Sequence, residues 1–108
     1  MHKPFYKNWD WDDVMIFDLK NLKERILDEL NDSIMYMEKA VENKGTKWSS
    51  YFCQMSKNEL EHANILLKMF NEIEPQEGTF ETAHKEVLDG YVKTMTKLEV
   101  LKKIYWSE

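Results

Sequence analysis

Apolar and polar residues recur along this chain with the spacing of amphipathic helices. Glycine and proline, which interrupt helices, are rare, and beyond residue 10 they occur only at Gly45, Pro75, Gly78 and Gly90. The segments between these residues are long enough to form helical hairpins. We therefore predict an all-α chain, a single domain over residues 1–108, with helices at about 11–43, 47–73 and 79–105.

Residues typical of helix ends support these boundaries. In the segment WDWDD, Asp10 or Asp12 can supply the oxygen that caps the first helix, and Trp9 can pack back onto that helix. Gly45 is expected to end the first helix, because glycine readily adopts the left-handed conformation found there. Gly90 is expected to be the weak point of the third helix.

Each of the first two helices carries an apolar stripe when positions are counted in alternate steps of three and four. In the first helix the stripe is Met15, Leu19, Leu22, Ile26, Glu29, Ser33, Tyr36 and Ala40. In the second it is Trp48, Phe52, Met55, Glu59, His62, Leu66, Met69 and Ile73. Two carboxylates and an imidazole thus interrupt stripes that we expect to face the core.

The hairpin geometry places these polar residues at the same distance from the turn along the two helices. Glu29 and Glu59 are each about fifteen residues from a turn centred near residue 44, roughly 22 Å along either helix. Glu59 and His62 are spaced i, i+3 and share a helix face. Glu29, Glu59 and His62 are therefore predicted to converge, with Tyr36 two turns further along the first stripe.

Burying these groups without partners would cost several kcal/mol. Neither stripe contains Lys or Arg, so the predicted counter-charge is a metal cation, and carboxylates with histidine suit iron, manganese or zinc. A complete two-metal carboxylate site has two single glutamates and two Glu-x-x-His pairs. One chain supplies half, and a twofold homodimer would complete a four-helix bundle.

The third helix has the remaining Glu-x-x-His pair, Glu81 and His84, in its first turn. No matching single glutamate accompanies this pair, and the rest of the helix has no ligands on its stripe. We therefore expect the third helix to serve in packing.

Composition narrows the function further. The chain has 15 basic and 20 acidic residues, net −5, without a basic cluster, which argues against a nucleic-acid partner. Cys53 is the only cysteine, so no disulfide framework is expected. No apolar run has the length of a membrane span or a secretion signal, and we expect a cytoplasmic protein.

The segments ILDELNDSIMYMEKAVENKG and MSKNELEHANILLKMF resemble the ferritin-like superfamily, and most closely the encapsulated ferritins. This resemblance covers about half of the chain. It implies a ferroxidase that binds two iron ions per dimer, with Glu59 bridging the ions and Glu29 and His62 completing each of them. Tyr36 matches a tyrosine beside the site. The resemblance also implies a ring of dimers that passes iron to an encapsulin shell.

Several positions depart from that family. The acid two residues after the first glutamate is Asn31, and the tryptophan before the tyrosine is Met35. The terminal KKIYWSE does not resemble a shell-targeting tail, so encapsulation is not supported and a free-standing relative remains an alternative. Two other functions stay open: a metal-stabilised structural or assembly protein without turnover, and a rubrerythrin-like peroxidase. The peroxidase would need a separate electron donor, since one cysteine cannot build a four-thiolate iron site.

Overall fold

The computed structural model describes residues 19–72 and 79–107. These residues form the helices α1 (Leu19–Glu42), α2 (Ser49–Glu72) and α3 (Thr79–Tyr105), and no strand occurs among them. The predicted all-α fold class is confirmed. The expected cap at Asp10 or Asp12, the packing of Trp9 and the break at Pro75 lie outside the described residues.

A tight turn joins α1 to α2. The backbone N–H of Lys44 donates to Val41 O at 3.1 Å, and Gly45 has φ of 89°, which confirms it as the residue that ends α1. The Thr46 hydroxyl then accepts from the Trp48 backbone N–H at 3.2 Å, which supplies an acceptor near the start of α2. The two helices form an antiparallel hairpin.

Helix α1 lies between the other two and packs against both. It runs parallel to α3, because Lys23 pairs with Glu86 at 2.6 Å near one end and Lys44 donates to Ile104 O at 3.0 Å near the other. Side chains also connect α2 to α3, including the Tyr91 hydroxyl, which lies 2.9 Å from the Asn64 amide oxygen. Among the described helices none is long and apolar enough to cross a membrane.

The core consists of two apolar clusters with small polar residues between them. The larger cluster contains Leu22, Ile26, Leu30, Ala63, Leu66, Phe70, Ala83 and Val87. The smaller cluster contains Met37, Ala40 and Leu98. Buried Ser33, Ser56 and Thr94 fall between the two clusters along their respective helices.

The faces of α1 and α2 that the fold buries are rotated about the helix axes relative to the apolar stripes expected from the sequence. In α1 the buried positions include Leu30 and Met37 rather than Glu29 and Tyr36. In α2 they are Ser49, Ser56, Ala63, Leu66 and Phe70. The prediction considered a two-helix seam only, whereas α3 covers one side of the hairpin and draws the buried faces towards itself. Glu29, Glu59 and His62 therefore lie at the border of the core.

Helix α3 is continuous through Gly90, so this residue does not break it. A Cβ atom at position 90 would lie 2.5 Å from Leu27 Cδ2. Glycine thus allows α3 to approach α1 closely at this point, just beside the segment that carries Glu29.

Candidate metal centre

The hairpin brings the three predicted ligands together. One donor atom each of Glu29, Glu59 and His62 can be chosen so that all three lie within 4.8 Å of one another. The His62 Nδ1 atom is 3.6 Å from Glu59 Oε1 and 3.8 Å from Glu29 Oε2. Helix α1 provides the single glutamate and α2 provides the Glu-x-x-His pair. Their role as metal ligands remains a prediction, and the geometry agrees with it.

The three side chains differ in their access to solvent. The Glu29 side chain is 13 % exposed, that of Glu59 20 % and that of His62 42 %. The group is therefore enclosed on the α1 side and open on the His62 side.

Glu29 is held in an environment that disfavours its charge. Burial, a hydrogen bond to Glu59 and the negative charge of Glu59 together raise the pKa of Glu29 to about 8. The Arg25 guanidinium, 3.9 Å from Glu29 Oε1, opposes this rise, and Asp32 adds to it. Burial and the charges of Glu59 and Asp28 also raise the pKa of Asp32. The site is short of positive charge.

The residues present fit a divalent cation. The Glu29 Oε2 atom is buried and has no hydrogen-bond partner among the described residues, which is costly for a carboxyl oxygen. A cation between the three donors would satisfy this oxygen and remove the repulsion from Glu59. Two carboxylate oxygens and one imidazole nitrogen are suitable ligands for iron, manganese or zinc. The donor set by itself leaves the choice among these metals open.

The cluster contains half of the ligands that a two-metal carboxylate site uses. A dinuclear carboxylate centre in a helical bundle uses two single glutamates and two Glu-x-x-His pairs, and this cluster has one of each. The second pair of the sequence does not join it, since Glu81 is exposed and the His84 ring stacks on Phe70 with ring centroids 6.2 Å apart. As expected, α3 packs against the hairpin, and within the described part of the chain it adds no ligand to the cluster.

Tyr36 lies beside the candidate ligands on the same helix but not among them. It is half-buried and lines a groove between α1 and α2, seven residues along α1 from Glu29. We define this hairpin groove by its lining residues, which are Met35, Tyr36, Lys39, Glu42, Asn43, Trp48, Tyr51, Phe52 and Met55. The groove is largely apolar, with Trp48 53 % exposed and Met55 38 % exposed.

Two charged residues near the centre were not singled out as part of the site. Arg25 lies outside the stripe expected for the first helix, yet its guanidinium approaches Glu29. Asp32 also lies outside that stripe, whereas the fold brings its carboxyl group under the influence of the Glu59 charge. Their spacings of four and three residues from Glu29 indicate that they share its helix face, and this signal could have identified both.

Comparison with protein families gives one match to this chain. Residues 20–108 match the family model described as Rubrerythrin. The match includes all three helices and every residue of the candidate metal centre. Searches of curated proteins and of solved structures found nothing that matches the chain.

Proposed function

Because the chain belongs to the rubrerythrin family, within the ferritin-like superfamily, we propose that it oxidises Fe(II) to Fe(III) at a di-iron site shared by two copies. Domains of this family are typically iron-binding oxidoreductases. The observation that carries the proposal is the convergence of Glu29, Glu59 and His62 within 4.8 Å. They surround a buried carboxyl oxygen of Glu29 that has no hydrogen-bond partner among residues 19–72 and 79–107.

A second copy completes the site in this proposal. Two hairpins related by a twofold axis would contribute Glu29, Glu59 and His62 twice, so that four carboxylates balance two divalent ions. The hairpin groove supports this arrangement, because the exposed Trp48 and Met55 line it and no residue of α3 does. Met55 lies about one helical turn from Glu59 on α2. The partner would cover apolar surface and supply ligands in the same contact.

The chain's residues have separate roles in the reaction. Glu29, Glu59 and His62 of both copies would hold the two ions. Glu59 would be shared between the ions, and Glu29 and His62 would together complete the ligand set of each ion, as the resemblance to ferritin-like proteins implies. The bound Fe(II) supplies the electrons: one dioxygen takes two electrons from two Fe(II), and with two protons it becomes hydrogen peroxide. Tyr36, which lines the adjoining groove, is the residue we place beside the reacting ions without direct coordination.

A peroxidase is the second candidate, and the family match favours it. Here hydrogen peroxide would take two electrons from the two Fe(II) and, with two protons, yield two water molecules. The 108 residues contain only Cys53, so they do not supply a four-thiolate iron site, and a separate donor would have to reduce the iron again. Under either reaction we propose that the protein acts in the cytoplasm as a dimer, with a ring of dimers inside an encapsulin compartment as the alternative arrangement.

Titration with Fe(II) tests the proposal. Metal-free protein is titrated under nitrogen, then exposed in parallel to air and to hydrogen peroxide, while bound iron and Fe(III) absorbance are recorded. We expect about one iron per chain, and oxidation by air that is lost in His62→Ala. Glu59→Gln should lose it as well, whereas Glu61→Gln, an exposed neighbour on the same helix, should behave like the wild type.

The outcomes separate the candidate functions. Rapid turnover with peroxide but not with air would support the peroxidase over the ferroxidase. Binding without oxidation by either reagent would indicate a metal-stabilised structural protein. Failure of the wild type to bind any iron would contradict both enzymatic proposals.

A further inference from the structure

A buried hydrogen bond joins α1 to α2 close to the candidate metal centre. The Ser56 hydroxyl donates to the backbone oxygen of Ser33 at 2.7 Å, and both serines are almost fully buried. Glu29 lies four residues before Ser33, and Glu59 lies three residues after Ser56. Because the helices are antiparallel, both steps run in the same direction along the hairpin, by roughly 5 Å. The hydrogen bond is therefore about one turn from the ligands.

The chemistry of this contact makes it sensitive to helix position. A serine hydroxyl is only two bonds from the Cα atom, and its acceptor here is a backbone atom, so the hydrogen bond restrains backbone against backbone. By contrast, the Lys23–Glu86 pair between α1 and α3 joins two long side chains. These side chains can change conformation and keep their contact when one helix moves slightly along the other. A one-residue slip of α2 would move it 1.5 Å along its axis and rotate its side chains by 100°. Such a slip would break the Ser56 hydrogen bond.

The metal centre needs such a restraint, because its ligands come from two helices. Glu29 lies on α1, whereas Glu59 and His62 lie on α2, so the distances among the three donor atoms depend on how the two helices are placed. The buried Ser56–Ser33 hydrogen bond holds that placement from the adjacent turn.

We infer that Ser56 is a positioning residue that sets the register of α1 and α2 so that Glu29, Glu59 and His62 converge on one ion. This inference rests on the proposed function for the identity of the ion. It assigns Ser56 no contact with metal or substrate, and the effect passes through the relative placement of the two helices.

Two control serines make the test specific. Ser33→Ala removes the Ser33 hydroxyl, which donates to Leu30 O within its own helix, and it keeps the backbone oxygen that accepts from Ser56. Ser49→Ala removes another buried hydroxyl of α2, one that accepts from Tyr105 about 15 Å from Glu59. Each control loses a buried hydroxyl without loss of the α1–α2 hydrogen bond.

The measurement is the dissociation constant for Fe(II) under nitrogen, obtained by competition with a chelator, alongside urea unfolding of each metal-free variant. For Ser56→Ala we expect a dissociation constant raised by about tenfold or more. Both controls should bind iron like the wild type, whatever stability they lose. An affinity for Ser56→Ala within twofold of the two controls would overturn the inference.

Crystal structures of the metal-free wild type and of Ser56→Ala provide a second test, which measures the positions of the ligands without iron. We expect the Glu29 and Glu59 carboxyl groups to lie further apart in the variant. Unchanged helix register, with the three donor atoms still together, would overturn the inference even if iron binding changed. If the wild type binds no iron at all, the proposed function fails, and these structures still decide the positioning role.

Discussion

The raised pKa of Glu29 predicts an unusual pH dependence for the metal-free protein. The unfolded chain releases the Glu29 proton near pH 4.5, whereas the folded chain retains it up to about pH 8. Between these values the folded state binds more protons than the unfolded state, so the free energy of unfolding falls as pH rises. The contribution is complete below pH 4.5 and is lost by about pH 8.

The size of this loss follows from the same pKa. Each pH unit between 4.5 and about 8 is worth about 1.4 kcal/mol, which sets an upper limit near 5 kcal/mol. The pKa of about 8 already includes the opposing charge of Arg25. The Glu29 side chain is 13 % exposed, so screening by solvent reduces the expected loss to about 2–4 kcal/mol. In a domain of this size that is a large share of the total stability.

The assay is urea unfolding of chelator-treated protein from pH 5 to pH 8.5, followed by circular dichroism. Glu29→Gln removes the titrating group while keeping a similar shape, so its stability should not show this fall. At pH 8 it should exceed the wild type in stability. Glu24→Gln, an exposed change on the same helix, should keep the full fall.

This reasoning would be refuted if the free energy of unfolding changed equally with pH in the wild type and in Glu29→Gln. Equal changes would show that the folded protein does not retain the Glu29 proton. Addition of a divalent cation gives a second check. Since the ligand form of Glu29 is the carboxylate, metal binding should release a proton and tighten as pH rises. The cation should therefore offset the decrease in the free energy of unfolding with rising pH in the wild type, and it should have no such effect in Glu29→Gln.

Three further predictions follow from other parts of the structure. Fe(II) at about 100 times its dissociation constant should stabilise the wild type by about 2.7 kcal/mol, measured by thermal unfolding under nitrogen, and His62→Ala should lose most of this gain. Lys44→Met should cost about 0.5–1 kcal/mol and increase hydrogen exchange at the end of α3, because Lys44 donates to the Ile104 and Ser107 carbonyls there; unchanged exchange would contradict this. Met55→Lys, in the hairpin groove, should yield monomers in analytical ultracentrifugation and abolish iron oxidation, whereas Val92→Lys on exposed α3 should leave both unchanged.

Much of the site could be predicted from the sequence because its determinants are local. The i, i+3 spacing of Glu59 and His62 places both on one helix face in any α-helix. The level of Glu29 follows from counting residues on either side of the turn at Gly45, because the rise per residue is constant. The convergence of the three residues needed no information beyond the short hairpin connection.

The rotation of the helices could not be obtained in this way. Periodicity identifies an apolar stripe, but the chain has more apolar positions than one seam can bury, and those at Met55 and Trp48 remain partly exposed. Which of two adjacent stripes is buried depends on where α3 packs, and the approach of α3 at Gly90 depends on contacts between residues distant in sequence.

The sequence by itself therefore determined the helices, the hairpin and the level at which the ligands meet, since these depend on helix geometry and nearby residues. The tertiary structure decided that α3 covers one side of the hairpin, that Glu29 is enclosed while His62 stays open, and that Ser56 reaches the Ser33 backbone. These features depend on how three helices share one core, because each helix turns towards the neighbours that bury the most of its apolar surface.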